Sequence, residues 1–405
     1  MLTVDDALAL VMDNANPLEA ELVSLEGCSG RWLAQDVSAA MTQPPFAASA
    51  MDGYAVKFGS AQCGETLQVI GEAPAGAPFS GKVSSGEAVR IFTGAPVPLG
   101  ADHIVIQEEV ERDGERIKIT TEQPKARHIR NAGIDFKDGD ILARKHDKLH
   151  DIHGSVFAAA NISRVSVIKK PRVAIFANGD ELKEPGSNLA PGEIVNSNHY
   201  ALRSLVTTWG GEGEYCGIAG DSEVAVSAMF KQAMQSDIIV PIGGASVGDY
   251  DLVKPAFKAL GGEILFEKVA MKPGKPTWFG RLGGALVLGL PGNPASAIVA
   301  AALFLQPLTR LLGGEAHMKT PMLRMECGTD IQANGPRESF LRAELSGYGA
   351  NVLKASPVEN QDSSLLSPFM AAQALIRRKP HAPRVIAGEH VDVIPLARGL
   401  AGMRR

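Results

Sequence analysis

PIGGASVGDYD (241–251), MKPGKP (271–276) and GLPGNPAS (289–296) are the three stretches that decide the fold of this chain. Each is a Gly/Pro-rich turn that closes a short apolar run. Where such turns end strands and open helices, backbone N–H groups collect along one rim of a sheet and can hold an anion. The three stretches therefore predict a sheet edge that binds a phosphate-like ligand.

Strand-like and helix-like runs alternate from about residue 171 to about residue 314, the region that contains these turns. Alternation of this kind predicts a mostly parallel sheet with helices on both faces, a doubly wound α/β fold. In open sheets of this class, ligands bind beyond the carboxyl ends of the strands. NGDE (178–181) also falls at such an end, so we expect this region to be the catalytic core.

Two β-rich regions flank the predicted core. From about residue 54 to about residue 148, short alternating runs are broken by Gly and Pro, which predicts a mainly β domain. The Asp-Gly pair in ERDGERIKI (111–119) predicts a hairpin. Short strands return after Gly314 and predict a small all-β domain. Residues 3–12 are predicted to form an amphipathic helix with Thr3 as its N-cap.

The composition excludes several classes of function. A chain of 405 residues is too long for one typical core and predicts about two to four domains. Its formal net charge of -5, without a basic stripe, predicts that nucleic acid is not a partner. The four cysteines form no CxxC pair and the nine histidines show no HxxxH or HxH spacing. Neither a zinc site nor a disulfide framework is therefore expected.

The N-terminus and the apolar runs predict a cytoplasmic enzyme. Asp5 and Asp6, with no basic flank, precede most of the first apolar residues, unlike the pattern of a signal peptide. The longest apolar run, Ala297–Leu305, is far shorter than the ~20 residues of a membrane span. We therefore expect no membrane partner.

Lys272 and Lys275 are candidate oxyanion ligands. A single surface lysine is usually only solvated, but these two flank a stiff Pro-Gly turn beside the glycine-rich stretches. Ser296 stands in the first turn of a long apolar helix, whose exposed N–H groups would add to an anion site. Asn293 as an ordinary N-cap is the alternative, and it is compatible with that site.

Five carboxylates are predicted at the ends of neighbouring core strands, where they would repel one another unless a divalent cation such as Mg²⁺ held them. They are Asp180, Glu181, Asp221, Asp249 and Asp251. Helix N-capping is the alternative, and it fits Asp221 because a helical run follows it. Asp221 and Asp251 remain candidate metal ligands.

Nine sequence blocks resemble, in order and spacing, the molybdopterin molybdenumtransferases, the MoeA proteins that are also found as the E domain of gephyrin. The resemblance covers almost the whole chain. The blocks are PPFAASAMDGYA, RIFTGAPVPLGADHIVIQEE, NAGIDFKDGD, NGDEL, NSN, GGASVGDYD, MKPGKP, GLPGNPASA and RESFLRAEL.

The resemblance implies an α/β multidomain architecture of four domains. These are an elongated N-terminal domain from residues 1–45 and 147–170, an inserted β-rich domain (46–146), an α/β domain like the molybdopterin adenylyltransferases (171–316) and a C-terminal β-barrel (317–405). It also implies a homodimer, in which the AMDGYA and TGAP loops of one subunit approach the α/β site of the other.

The implied reaction is the insertion of molybdate into adenylylated molybdopterin, with release of AMP and a requirement for Mg²⁺, in molybdenum cofactor biosynthesis. Delivery of the substrate by a molybdopterin adenylyltransferase partner is expected. Two other functions remain open from the residues: a molybdopterin adenylyltransferase, and a non-catalytic scaffold of the gephyrin E-domain type.

The resemblance also implies roles for individual residues. The implied catalytic residues are Asp52, Thr93, Asp135, Glu181, Lys272 and Lys275. The implied substrate-binding residues are Arg130, Gly243, Gly244, Ser246, Gly248, Pro291, Gly292, Asn293, Ser296, Arg342 and Ser363. The implied magnesium ligands are Glu181, Asp221 and Asp251.

The chain departs from the family pattern at three places beside these loops. Ala47 and Ala48 stand where the family often has Asp-Asn, and Asn178 stands where a Thr usually precedes GDE. Near Ser363, the Gly that usually follows the first serine is absent. The departures bear on fine substrate contacts, and they replace none of the ionic residues.

Overall fold

The computed structural model describes residues 1–244, 252–315, 322–347 and 353–396. The chain divides into two compact units. Unit 1 comprises Met1–Glu21, Gly30–Ala34 and Ser166–Arg405, and unit 2 comprises Leu22–Ser29 and Gln35–Val165. The four predicted domain boundaries stay a prediction.

The helices are α1 (Val4–Asp13), α2 (His153–Ala159), α3 (Asn198–Thr208), α4 (Glu223–Ala233), α5 (Val253–Ala259), α6 (Pro294–Ala300) and α7 (Gln306–Leu312), with a π-helical turn at Ala301–Leu305. The first strands are β1 (Ala20–Ser24), β2 (Val37–Ser38), β3 (Ala48–Ser49), β4 (Gly53–Val56), β5 (Thr66–Ala73), β6 (Glu87–Ile91), β7 (His103–Ile106), β8 (Val110–Asp113), β9 (Arg116–Ile119), β10 (Ile129–Arg130), β11 (Ile141–Ala143) and β12 (Arg164–Ile168). The later strands are β13 (Arg172–Asn178), β14 (Leu182–Lys183), β15 (Ile194–Val195), β16 (Glu212–Ala219), β17 (Ile238–Ile242), β18 (Glu263–Phe266), β19 (Met271–Lys272), β20 (Trp278–Leu282), β21 (Ala285–Gly289), β22 (Leu323–Cys327), β23 (Glu338–Ser346), β24 (Lys354–Pro357), β25 (Ala374–Arg378) and β26 (His390–Pro395).

The central sheet of unit 1 has the strand order β16-β13-β17-β21-β20-β18. The strands β16, β13, β17 and β21 pair in parallel, whereas β20 and β18 pair antiparallel. The predicted mostly parallel sheet is confirmed. The antiparallel strand β20 was not predicted as a strand, because its pairing with β21 and β18 defines it rather than its own sequence pattern.

Helices cover both faces of this sheet, as predicted. Val173 and Ile175 of β13 pack into the same cluster as α1, α3 and the long helix Pro294–Leu312. Ala174 and Phe176 pack with α4 and α5 on the other face. Successive side chains of a strand point to opposite faces, so each face presents its own apolar row.

The long helix Pro294–Leu312 extends beyond the apolar run noted in the sequence. It has 19 residues and a mean hydropathy of 1.6, so by length and composition it could cross a membrane. However, 83% of its most apolar window is buried inside the fold. It is therefore the core helix of unit 1, and its first turn is part of the site described below.

The C-terminal strands form a closed barrel, which confirms the predicted β-barrel. The order is β23-β24-β22-β26-β25, and β25 pairs back onto β23 to close the ring. The short strand β19 joins the outside of this ring by pairing in parallel with β23. This pairing anchors the MKPGKP turn to the barrel.

Unit 2 is built on a six-stranded sheet of order β7-β4-β6-β5-β9-β8. The predicted hairpin is confirmed, because β8 and β9 pair antiparallel from Asp113 opposite Arg116. Gly114 has a φ of 58° in the connecting turn, a conformation that glycine tolerates better than other residues. The predicted helix of unit 1 is also confirmed, since Thr3 Oγ1 accepts the Asp6 N–H at the start of α1.

Candidate active site

Unit 1 contains two adjoining cavities, one of about 760 Å³ and one of about 540 Å³. Pro276 lines both of them. Ser363 lines the larger cavity and the next residue, Ser364, lines the smaller one. We call the larger one the first cavity and the smaller one the second cavity.

The two predicted lysines both line the first cavity. Their turn is fixed internally, because Thr277 Oγ1 donates to Gly274 O at 2.7 Å. Gly274 has a φ of 104°, and a Cβ there would lie 2.7 Å from Met271 Cε. Only glycine therefore suits this position. Within the described residues, neither Lys272 nor Lys275 forms an ion pair, so both ammonium groups remain available to a ligand.

The start of α6 closes the first cavity from the sheet side. Ser296 is buried and lines the cavity. The Asn293 side chain makes no capping bond to α6; its Nδ2 donates instead to Ser363 Oγ at 3.2 Å. The Ala295 N–H donates to Ser363 O at 3.0 Å. One amide of the predicted anion site is thus occupied by the Ser363 loop. Asn293 is the N-cap residue of α6, as the alternative predicted, but without a side-chain capping bond.

Arg342 does not line the first cavity, although it is almost fully buried at 2% exposure. Its Nη1 donates to Leu365 O at 2.8 Å, and its Nη2 donates to Asn360 O at 3.1 Å and Asp362 O at 2.9 Å. A molybdate contact for Arg342 stays a prediction, and this geometry makes it the residue that holds the Ser363 loop.

The second cavity lies at the carboxyl ends of β13, β17 and β21, as the turns predicted. Gly243 has a φ of 96°, and a Cβ there would lie 2.8 Å from Asn178 O. A Cβ on Gly292 would lie 3.7 Å from Gly243 Cα, so the two turns approach each other closely. Asn198 Nδ2 donates to Gly292 O at 2.6 Å and fixes the second turn.

The second cavity carries little charge. Among its described lining residues, Glu181 is the only ionisable one. Asparagines, glycines, prolines and the apolar side chains of β14 and β15 make up most of the remainder. The predicted substrate-binding residues that line this cavity are Gly243, Gly244, Pro291, Gly292 and Asn293. A surface of amides and apolar groups favours a neutral organic moiety over a free oxyanion.

The carboxylates beside the second cavity bond to each other's backbone. The Asp180 N–H donates to Asp221 Oδ2 at 3.2 Å, and the Asp221 N–H donates to Asp180 Oδ1 at 3.0 Å. Asn178 Nδ2 donates to Asp221 Oδ1 at 3.2 Å. The N-cap of α4 is Ser222, whose side chain accepts the Ala225 N–H, so the alternative role of Asp221 as N-cap is wrong.

These carboxylates retain lone pairs for a metal. Each Asp221 oxygen accepts one hydrogen bond, whereas a carboxylate offers about four lone-pair sites. No group of three or more potential metal-binding side chains occurs within the described ranges. Since Mg²⁺ is often held by one or two carboxylates together with substrate phosphates, Glu181 and Asp221 fit such a role. The predicted residues that lie outside the described ranges are Ser246, Gly248, Asp249 and Asp251.

A polar network supports the NSN block behind the second cavity. The Tyr215 hydroxyl donates to Glu184 Oε1 at 2.7 Å and accepts from Asn196 Nδ2 at 2.7 Å. Burial and the Glu184 carboxylate raise the pKa of Tyr215. The ring of His199 stacks on Tyr215 with centroids 3.7 Å apart. Burial lowers the pKa of His199, which disfavours protonation of the stacked imidazole.

In unit 2, Asp52 and Thr93 meet. Asp52 Oδ1 accepts the Thr93 N–H at 2.7 Å and the Thr93 Oγ1 hydroxyl at 2.8 Å, and these bonds lower the pKa of Asp52. Arg130 lies on β10 opposite Ala48, and the Asp135 N–H donates to Gln43 O. Both Arg130 and Asp135 have exposed side chains, and within the described residues neither is hydrogen-bonded to Asp52.

Some residues of the two cavities carry no clear signal in the sequence. Arg378 lines the first cavity, and only strand pairing brings it there. Arg337 lines it too and could have been singled out, since it opens the RESFLRAEL block. Asn334 lines it as well and bonds three backbone carbonyls. Asn198 could have been singled out, since it belongs to the NSN block.

Three family models match successive parts of the chain. They describe the MoeA N-terminal region (residues 2–161), a probable molybdopterin binding domain (174–310) and the MoeA C-terminal region (324–396).

Curated relatives and a solved structure agree with these matches. The molybdopterin molybdenumtransferase of Haemophilus influenzae is 33% identical over 399 residues, covering 98% of each chain. That of Nostoc sp. is 36% identical over 337 residues, covering 81% of this chain and 77% of the relative. The crystal structure of the molybdopterin biosynthesis MoeA protein from Pyrococcus horikosii is 30% identical with a TM-score of 0.84, covering 98% of this chain and 99% of that one. This chain belongs to the molybdopterin molybdenumtransferase family.

Proposed function

We propose that this chain inserts molybdate into adenylylated molybdopterin with release of AMP, in molybdenum cofactor biosynthesis. The observation that carries the proposal is the pair of adjoining cavities with different charge. The first cavity would take the oxyanion and the second would take the organic substrate. Pro276, which lines both, would stand where the two substrates meet.

The first cavity suits a dianion such as molybdate. Lys272 and Lys275 supply two positive charges, and Ser296 and Ser363 supply hydroxyl groups beside them. Exposed ion pairs contribute only about 0–1 kcal/mol each, whereas charge-assisted bonds in a partly water-excluded site are stronger. Ser296 is 5% exposed, which indicates that the inner end of the cavity is shielded from bulk solvent.

The second cavity suits the pterin and nucleotide parts of the other substrate. Amide side chains can donate and accept hydrogen bonds with ring nitrogens and carbonyls. The Gly243–Gly244 turn lets a phosphate approach the backbone because no Cβ intervenes. Asn178, at the position where the family usually has Thr, orients Asp221 beside this turn.

Glu181, Asp221 and Asp251 are the residues that would hold Mg²⁺. A bound Mg²⁺ would neutralise charge on the phosphoanhydride that is cleaved. The Glu181 carboxylate lies against Gly179, where a Cβ would come within 2.4 Å of Glu181 Oε2. Gly179 therefore leaves room for the carboxylate beside the second cavity.

A homodimer in the cytoplasm, supplied by a molybdopterin adenylyltransferase, completes the proposal. The support is the family resemblance, which gives Asp52, Thr93, Arg130 and Asp135 roles in the site of a partner subunit. The preformed Asp52–Thr93 pair is consistent with such a role. Sedimentation equilibrium tests the dimer, and a mass of one chain would contradict it.

Lys275→Ala tests the assignment of the two cavities. Loss of one charge-assisted contact of about 2–3 kcal/mol should lower molybdate-dependent AMP release about 100-fold. Binding of adenylylated molybdopterin, measured by calorimetry without molybdate, should stay within about 2-fold. Lys258→Ala is the matched control, because Lys258 lies on α5 and pairs with Glu267 away from both cavities.

The same assay separates the alternative functions. A scaffold would bind the nucleotide substrate without turning it over, and an adenylyltransferase would consume ATP without a partner protein. Turnover that is unchanged in Lys275→Ala would contradict the oxyanion role of the first cavity.

A further inference from the structure

The first cavity is larger than one tetrahedral oxyanion requires. Its volume is about 760 Å³. A five-atom oxyanion fills on the order of 100 Å³, since one water takes roughly 30 Å³. Besides the lysine end, the cavity has an end formed by the C-terminal barrel, which we call the barrel end; it is lined by Ile331, Gln332, Asn334, Arg337, Ser339 and Arg378.

Strand register places polar and charged side chains in one row across the two ends. Lys272 of β19 pairs with Ser339 of β23, and Ser339 pairs with Arg378 of β25. Directly paired residues of neighbouring strands share a face of the sheet, and all three line the cavity. Strands are spaced by roughly 4.8 Å, so the backbones of Lys272 and Arg378 are about 10 Å apart. The two residues therefore start from separate positions along the cavity wall, one at each end.

The barrel-end arginines have no counter-ion among the described residues. Arg378 is only 7% exposed, and its Nε is buried without a hydrogen-bond partner. Its Nη2 donates to Pro383 O. Arg337 is half-buried, and its Nη1 makes a long 3.4 Å contact to Met271 O. A buried charge without a partner is costly, which favours an anionic ligand at this end.

One amide fixes the backbone that carries both arginines. Asn334 Nδ2 donates to Arg337 O at 2.9 Å, to Arg378 O at 2.9 Å and to Lys379 O at 2.8 Å. Asn334 Oδ1 accepts the Ser339 hydroxyl at 2.8 Å. The backbone at both arginines is thus held in place before any ligand arrives.

We propose that Arg337, Ser339 and Arg378 form a second binding site for a tetrahedral oxyanion at the barrel end of the first cavity. It is separate from the site at Lys275 and Ser296. The oxyanion is either a free tetraoxoanion or a phosphate group of the organic substrate. This inference rests on the proposed function in one respect: the proposed function names molybdate and adenylylated molybdopterin as the two possible sources of the oxyanion.

The test counts bound molybdate by equilibrium dialysis of the full chain. Two molybdates per wild-type chain and one per Arg337→Gln chain would assign the site to a free oxyanion. In that case Lys275→Ala should still bind the molybdate at the barrel end. One molybdate per wild-type chain, with at least 10-fold weaker binding of adenylylated molybdopterin to Arg337→Gln, would assign it to the substrate's phosphate. Arg384→Gln is the control, because this exposed barrel arginine pairs with Asp330.

The proposal is overturned if wild type binds one molybdate and both Arg337→Gln and Arg378→Gln bind adenylylated molybdopterin normally. It is also overturned if two molybdates bind and neither arginine variant loses one. Arg337→Gln is the primary variant because Arg337 is half-buried, and thermal melting confirms that each variant is folded. If Lys275→Ala loses turnover but neither arginine variant changes ligand binding, the proposed function is supported and the second site is rejected.

Discussion

The two cavities of unit 1 adjoin at the start of α6, yet they are built from different materials. The second cavity consists mainly of main-chain turns and amides at the ends of sheet strands. The first cavity takes its charge from the MKPGKP turn and from barrel strands. The sheet-end turns thus provide a shaped, nearly uncharged cavity, whereas the MKPGKP turn and the barrel together provide the cations that an oxyanion would need.

Among the substitutions that test this difference between the cavities, Arg342→Lys should have the largest effect. Lysine keeps the charge but loses the planar fork that serves three carbonyls, and each buried carbonyl left without a partner costs about 1–3 kcal/mol. We expect the free energy of unfolding to fall by about 3 kcal/mol. Urea unfolding of the full chain measures it.

The loosened Ser363 loop should also weaken molybdate binding in Arg342→Lys. If the charge alone mattered, as it would for a direct ligand, lysine would preserve most of the affinity. If Arg342→Lys is as stable as wild type and binds molybdate equally well, Arg342 does not position the Ser363 loop.

Asn198→Ala should affect only the second cavity, and by a smaller amount. The substitution leaves Gly292 O without its donor, which costs about 1–2 kcal/mol and should weaken binding of adenylylated molybdopterin about 10-fold. Molybdate binding should not change. Asn14→Ala is the matched control, because Asn14 also donates to a backbone carbonyl, that of Leu10, away from both cavities. Equal losses of affinity for molybdate and for adenylylated molybdopterin would show that the two cavities do not bind their ligands independently.

His199→Phe should give the smallest effect, a change in acid sensitivity. The folded pKa of His199 lies below its unfolded value of about 6.5, so below that pH the unfolded chain binds more protons. Stability therefore falls as pH decreases from about 6.5 towards the folded pKa, and no such loss occurs above that window. Burial is the main cause, with Glu184 raising and Arg203 lowering the pKa.

Phenylalanine keeps a ring on Tyr215 but cannot take up a proton. Melting temperatures measured between pH 5 and pH 7.5 should therefore fall less on acidification in His199→Phe than in wild type. His390→Phe, at an exposed barrel position, is the control. Equal acid sensitivity in wild type and His199→Phe would show that the stacked histidine does not contribute.

Much of this fold could be predicted because local signals agreed with it. The β-α alternation indicated the parallel sheet, the Asp-Gly pair indicated the hairpin, and Thr3 indicated the start of α1. Strand β20 escaped prediction because its antiparallel pairing depends on a neighbour rather than on its own pattern. The capping assignment at Asp221 failed, and Asn293 caps α6 without a side-chain bond, because tertiary contacts decide which of several possible partners a polar side chain bonds.

The turns and the lysine pair could be identified from the sequence alone, since glycine and proline act through local backbone geometry. Which arginines line the first cavity depends on the assembled fold. Arg378 lines it because its strand pairs in register with Ser339, whereas the Arg342 guanidinium bonds carbonyls of the Ser363 loop instead. Strand register is set by contacts distant in sequence, and a shift of one residue moves every side chain to the opposite face.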